Sequence, residues 1–342
     1  MANVFNAQVR ITPHFSEPEL ILTITQPSGA FMLFEGGAPR VKISNTDLFV
    51  YVNHLDIRTD AQASQFPSNE LPSSTLVGEY FSTMTYLIRS RAIYGRASDT
   101  AAAGYNVSVP NAQKLGMRQA IVQQMRTAAL YGINGSNGEG LLNASGATSV
   151  TLPPDPYGNT TVSTYDNGAM VTFILQQLVT IMNAMFQTGA VDGGKIRIVG
   201  PQRIFNKFQI SEIIQVTSFQ RPGGGTATVG QAISQVAEEA GWDMEYGYDD
   251  TLIGKGSGGT DMVIITIPEL TIPDQPGIST APFNEMMPST KAVNVMYADQ
   301  PAPIQIPTPI PDGEITEVSE LRITSGWNWR PQGLILCSMQ YS

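Results

Sequence analysis

Residues 107–143 read VSVPNAQKLGMRQAIVQQMRTAALYGINGSNGEGLLN, and the fold turns on this stretch. Pro110 suits the first turn of a helix, where its missing N–H costs nothing. Leu115, Val122, Met125 and Ala129 then recur at three-, four- and seven-residue steps, with Met117, Ile121 and Ala128 beside them. That spacing predicts one apolar helical face. Lys114, Arg118, Gln119, Gln123 and Arg126 fall largely on the other side. Gly132 is placed to end the helix in a left-handed conformation. The expected rod is about 30 Å long at ~1.5 Å per residue. A glycine-rich loop, GINGSNGEG, follows, and then the pair Leu141–Leu142.

Working outward, residues 1–45 mix short apolar pieces with Pro13, Pro18, Pro27, Gly29, Gly36, Gly37 and Pro39. They read as an extended arm without a core of its own, with one short strand at Glu19–Thr25. Residues 47–57 (DLFVYVNHLDI) and 77–94 (VGEYFSTMTYLIRSRAIY) have strand chemistry. The polar segment from Arg58 to Thr75 joins them into a long hairpin, and a two-stranded hairpin is marginal by itself. Asp99–Gly104 reads as a short helical or turn segment.

On the far side of the rod, GATSVTL predicts a short strand, and Pro153, Pro154, Pro156 and Gly158 mark a boundary. Asp166 or Asn167 can cap a second long helix, Gly168–Thr188, whose polar stripe is Thr172, Gln176, Thr180, Asn183 and Gln187. Strands at 195–199, 244–248 and 262–267 alternate with helices at 201–209 and 229–240, a mixed α/β pattern. The proline-rich run from 268 to 311 surrounds a strand at 292–297, and its PAPIQIPTPIP segment reads as a linker or an edge strand. Residues 317–329 and 334–341 read as a C-terminal pair of strands forming a hairpin in the domain of the first helix.

The chain has 342 residues, about two domains' worth, with 42% hydrophobic and 14% charged residues and a net charge of −10. So low a charged fraction suits a protein that buries surface against copies of itself. An acidic chain does not hold phosphate backbones by bulk electrostatics. One cysteine, Cys337 in an apolar run, leaves no intrachain disulfide and no multi-cysteine metal site. There is no signal-peptide pattern and no apolar run long enough to span a bilayer. The default compartment is therefore the cytoplasm of some cell.

Catalytic patterns are missing. His14 and His54, the two histidines, have no partner at metal or triad spacing. Neither G-x-S-x-G nor a phosphate-binding G-x-x-x-x-G-K-[ST] occurs. Gly254–Gly259 formally matches G-x-G-x-x-G but precedes a strand, so no helix N-terminus faces a pyrophosphate there. Of the adjacent carboxylates, Asp249 and Asp250 read as strand neighbours that point to opposite faces, and the helical pair Glu238–Glu239 reads as solvated. Trp327 and Trp329 share one strand face and read as core or interface aromatics; Arg89, Arg91 and Arg96 form the densest basic cluster. Together with Arg58 these are the candidate contacts between subunits. The sequence predicts no catalytic residue, no cofactor and no metal.

The order of parts is more telling than any motif. VPNAQKLGMRQAIVQQMRTAALYGINGSNGEGLLN, TVSTYDNGAM, YDDTLIGKGSGGTD, SGWNW and the terminal LCSMQYS resemble segments of the major capsid proteins of tailed bacteriophages, the Hong Kong ninety-seven type fold. The resemblance covers nearly the whole chain. It implies an α+β protein: an N-terminal arm (1–45), an extended β-hairpin loop (46–98), a peripheral domain with a long spine helix (99–165 and 290–342), and an axial α/β domain (166–289). It implies a structural, non-enzymatic subunit of an icosahedral virion shell, assembled in the host bacterial cytoplasm into pentamers and hexamers around double-stranded DNA, with portal and decoration proteins as further partners. No lysine lies between Lys42 and Lys114, so the lysine–asparagine cross-link of the fold's namesake has no lysine in the hairpin. No long extension precedes the arm, which points to a separate scaffolding protein. Two alternatives stand beside this reading: an encapsulin-type nanocompartment shell, and a monomeric α/β enzyme using Asp249, Asp250 or the Gly254–Gly259 loop.

Overall fold

The computed structural model describes residues 29–34, 41–58, 75–95, 97, 99–100, 108–134, 138–187, 194–210, 228–271, 291–293, 295–310, 314–328 and 331–342. In chain order the elements are β1 (Val41–Lys42), β2 (Phe49–Arg58), β3 (Thr75–Gly95), α1 (Val109–Tyr131), β4 (Thr148–Thr151), α2 (Asn167–Gln187), β5 (Gly194–Gly200), α3 (Gln202–Ile210), α4 (Val229–Glu239), β6 (Trp242–Tyr248) and β7 (Asp261–Thr266). Then come β8 (Glu269–Thr271), β9 (Lys291–Val293), β10 (Val295–Met296), β11 (Ala298–Asp299), β12 (Ile304–Pro309), β13 (Glu314–Thr324), β14 (Trp327–Asn328) and β15 (Leu334–Met339). The expected strand at Glu19–Thr25 lies outside the described residues, as does most of Asp99–Gly104.

Strand β3 organises the six-stranded sheet. Its first half, Thr75–Met84, pairs antiparallel with all of β2, and its second half, Thr85–Gly95, pairs antiparallel with β13. At about 3.3 Å per residue, the ten-pair β2–β3 ribbon runs roughly 33 Å beyond the β3–β13 ladder. The sheet continues through β12 on β13, and through β11 to β1. Strand β12 is the edge segment anticipated from its prolines. The Ile310 N–H, at its end, donates to the Glu314 carbonyl, so even-numbered residues turn their N–H groups toward β13. Pro307 and Pro309 fall on the odd positions, whose N–H would face the open edge. Two donors that could template pairing with another chain are thereby removed.

The spine helix α1 lies on this sheet. Met117, Ile121, Ala128, Ala129 and Leu130 are buried, and Ile121 and Ala128 pack with Ile88, Leu321 and Ile323. Leu115 and Val122, expected on the packed face, are 41% and 48% exposed. The helix has apolar residues on two adjoining sides, and sequence periodicity does not tell which side a sheet will cover. Gly132 ends α1 with the expected positive φ of 71°, but its ψ of 163° lies outside the left-handed helical region. The position is also crowded, since a Cβ on Gly132 would sit 2.3 Å from the Glu139 carbonyl oxygen. Asn143 closes the loop by donating to the carbonyls of Tyr131 and Glu139 at 2.8 and 3.0 Å.

The second sheet has seven strands: β4, β15, β7 and β5 in order, β6 on the far side of β5, and β8 with β9 continuing from β7. Both of its faces are covered. Val263, Ile265, Ile335, Cys337 and Met339 join α2, α3 and α4 in the largest core. Ile264, Met262, Leu334 and Leu336 face a second core with Leu130 and Leu141. Burial on both faces explains why β7 and β15 read as unbroken apolar runs instead of alternating. Asp166 caps α2, its carboxylate accepting the Ala169 N–H at 2.8 Å. Thr228 and Gln231 form a reciprocal capping box on α4.

Two expectations are corrected. The last two strands are not a hairpin: β13 belongs to the six-stranded sheet, while β15 is inside the seven-stranded one, between β4 and β7. Each has a better-matched partner, since β15 is apolar on both faces and β13 alternates. Nor is the arm without a core throughout. Ala30, Leu33 and Phe34 are at most 1% exposed, on a 3-10 turn wedged between α1 and the second sheet. Gly29 donates to the Tyr248 carbonyl at 2.7 Å, and a Cβ there would meet the Tyr248 nitrogen at 2.5 Å.

Candidate functional site

The features that could carry chemistry are engaged in structure. Asp249 is fully buried and accepts the Thr251 N–H and hydroxyl; the Asp250 carboxylate accepts the Gln202 N–H at the start of α3. In the Gly254–Gly259 loop, Gly254 donates to Asp261, Gly256 to the Thr260 carbonyl and Ser257 to the Ser338 hydroxyl. Those amides are not free to cradle a phosphate. The loop instead flanks the end of α1, with Lys255 over the Tyr131 ring and the Tyr131 hydroxyl donating to the Thr251 carbonyl. Burial pushes the Cys337 thiol up to about 12, which leaves it protonated and inert at neutral pH. Among the described residues no group of histidine, cysteine, aspartate and glutamate side chains is arranged to hold a metal.

Buried charges likewise serve packing. Arg203 forms a two-pronged pair with the buried Asp261 and lies over the Tyr341 ring, joining α3, β7 and the C-terminal residues. Arg197, nearly buried on β5, reaches Glu245 at 2.8 Å and the Met32 carbonyl at 3.1 Å, and so holds the 3-10 turn of the arm. Glu139 is a hub between the glycine loop and both neighbouring segments. It accepts from the Tyr86 hydroxyl at 2.8 Å, the Ser325 hydroxyl at 2.9 Å and the Asn134 N–H at 3.2 Å. Burial first, then this hydrogen bond and the carboxylate charge, push the Tyr86 phenol up to about 12.

What remains distinctive is surface. At the root of the ribbon, Val50 and Thr83 are buried on one face, Val50 against Ile43, Ala298 and Trp327. The other face presents Phe49, Tyr51, Tyr80 and Met84, between 47% and 73% exposed. Phe49 and Tyr51 have ring centroids 6.4 Å apart, and Tyr51 and Tyr80 6.2 Å apart. Open apolar clusters of this kind are characteristic of interaction surfaces. Sequence reading missed it, although the signal was there: FVYV and YFSTM have large apolar residues on both strand faces, more than one core can cover.

The four candidate contact residues that fall among the described residues, Arg58, Arg89, Arg91 and Trp327, are not gathered in one place. Arg89 meets Glu320 of its own chain at 2.9 Å while its side chain stays 64% exposed. Arg91 is exposed two residues along the same face of β3. Arg58 ends β2, opposite Thr75; Arg96 and Trp329 lie outside the described residues. Trp327 is 8% exposed and packs within the subunit, which leaves little of it for a neighbour.

No protein-family model matches the sequence, and no curated protein is similar to it in sequence. The fold is another matter. The solved capsid of Myoviridae phage XM1 matches over 95% of this chain and 96% of its own, with a TM-score of 0.63 at 12% identity. A structure of the capsid of an empty GTA particle matches over 96% and 95%, with a TM-score of 0.55 at 7% identity. A structure from Mycobacterium phage Cain matches over 97% and 96%, with a TM-score of 0.56 at 9% identity. The likeness runs over nearly the whole length of both chains, and this chain has the fold of the phage major capsid proteins.

Proposed function

We propose that this chain is the shell-forming subunit of an icosahedral phage capsid, assembling with its own copies into pentamers and hexamers that enclose double-stranded DNA. The observation that carries the proposal is the β2–β3 ribbon. Beyond the β3–β13 ladder, β2 and β3 have no other ladder partner among the described residues, and the ribbon's aromatic face is open. A two-stranded ribbon is not stable by itself. In a shell it lies across a neighbouring subunit; Arg58 is on the ribbon, and Arg89 and Arg91 follow on the half of β3 that pairs with β13. Many modest contacts of this kind add up to slow dissociation, because leaving requires breaking several at once.

On this reading, residues 1–45 are the arm, 46–98 the extended loop, 99–165 with 290–342 the peripheral domain, and 166–289 the axial domain. The seven-stranded sheet takes strands from both of the last two. The function is structural, not enzymatic. Scaffolding, portal and decoration proteins are the expected partners, and the virion is the final location. The net charge of −10 suits a wall that does not clamp its DNA. Deleting Arg58 to Thr75 tests the proposal, with negative-stain microscopy and circular dichroism as readouts. The full chain is expected to yield closed particles and the deletion a folded subunit that yields none. Normal particles from the deletion refute the ribbon's role, and a full chain that stays a monomer at high concentration refutes the shell.

A further inference from the structure

Helix α2 has no charged residue in 21 positions. One side enters the largest core through Met170, Phe173, Ile174, Leu178 and Ile181. Thr172, Gln176, Val179, Thr180 and Asn183 are exposed on the other. They follow one another at helical spacing and form a single stripe. Val179, at its middle, is 51% exposed. The stripe is less polar than its composition. Thr172 donates to the Gly168 carbonyl at 3.0 Å and Thr180 to the Gln176 carbonyl at 2.8 Å, so both hydroxyl protons are engaged inside the helix. Water is offered little beyond two side-chain amides, around a shallow depression lined by Leu175, Gln176 and Val179.

A solvent-facing helix surface normally carries charge. Here a chain of net charge −10 keeps one long stripe neutral. Copies of an acidic protein repel one another, and a neutral surface lets two of them meet without setting like charges face to face. We propose that the outward stripe of α2 is a contact between copies of this chain. The inference rests on the shell reading and adds to it a surface distinct from the ribbon. Its size limits its role. From Thr172 to Asn183 the stripe is about 17 Å long and about 10 Å wide and covers roughly 170 Å², well short of the ~800 Å² per partner of a stable pair. It therefore closes only in an assembly that other contacts hold together.

The test is Val179→Cys, read by maleimide labelling of free subunits and of particles that contain this chain alone. Cys337 is fully buried and does not compete. Labelling at least ten-fold slower in particles is the expected result. Equal rates in both overturn the inference and leave the shell reading standing; no particles from the unaltered chain overturn both. Slow labelling only when a second protein is added gives the stripe a different occupant and also overturns it. A second variant, Val179→Arg, is expected to lose particles at an unchanged melting temperature, and particles at the unaltered yield count against the proposal.

Discussion

Substituting Gly140 by alanine tests the junction on which the spine helix depends. Gly140 has φ 89° and ψ 147°, a region that only glycine occupies at low cost, so the backbone alone should charge about 1 to 3 kcal/mol. A second cost is steric. The new Cβ would lie 2.3 Å from the Gly132 nitrogen and 2.8 Å from the Leu130 carbonyl oxygen, both backbone atoms that no rotamer change can move. Relieving the overlap pulls the glycine loop off the end of α1. It strains the bond from the Gly140 N–H to the Gly326 carbonyl at 2.9 Å and the two bonds from Asn143. Overpacking of this kind adds about 1 to 3 kcal/mol. The expected total is about 2 to 6 kcal/mol, a large part of the stability of an ordinary domain. Gly158→Ala is the control. Its φ is 86°, nearly the same, yet nothing lies within 4 Å of the new Cβ. It should lose only the conformational part. Urea denaturation of the purified subunits, followed by far-UV circular dichroism, measures the difference. If the two variants lose stability equally, close contact at the α1 terminus is not what selects glycine there.

Two further outcomes concern the arm and the edge of the first sheet. Phe34→Ala removes a ring that is 1% exposed and lies 4.7 Å, edge to face, from Tyr297. It should cost about 3 to 5 kcal/mol and make the chain near Gly29 sensitive to limited proteolysis; unchanged protease resistance contradicts the anchoring role. Asp299 is half-buried, and desolvation pushes its carboxyl up to about 6, against the pull of Lys42. The folded state then binds this proton more tightly than the unfolded one, so the carboxyl costs stability as pH rises from about 4 through 6. Discounted for solvent screening, Asp299→Asn should stabilise the subunit by about 1 kcal/mol at pH 8 and hardly at all at pH 4. An equal gain at both pH values, measured by urea midpoints, refutes the assignment.

Local chemistry determined much of this protein. Pro110, Gly132 and the apolar repeat between them delimit α1, and Asp166 caps α2, because caps and periodicity act over a few residues. The ordered segments also pointed to the capsid fold, through resemblance rather than through any single motif. Which side of α1 the sheet covers was not legible: Leu115 and Val122 are as apolar as the residues that were buried. Nor was the parting of the last two strands, since pairing depends on partners up to about 240 residues away along the chain. The same holds for the burial of Phe34, whose pocket is built from α1, β7 and β15. The candidate surfaces divide in the same way. A helix without charge can be read from its letters, but that its neutral stripe faces outward, and that Phe49, Tyr51, Tyr80 and Met84 stand together uncovered, follows only from which apolar faces the two sheets bury.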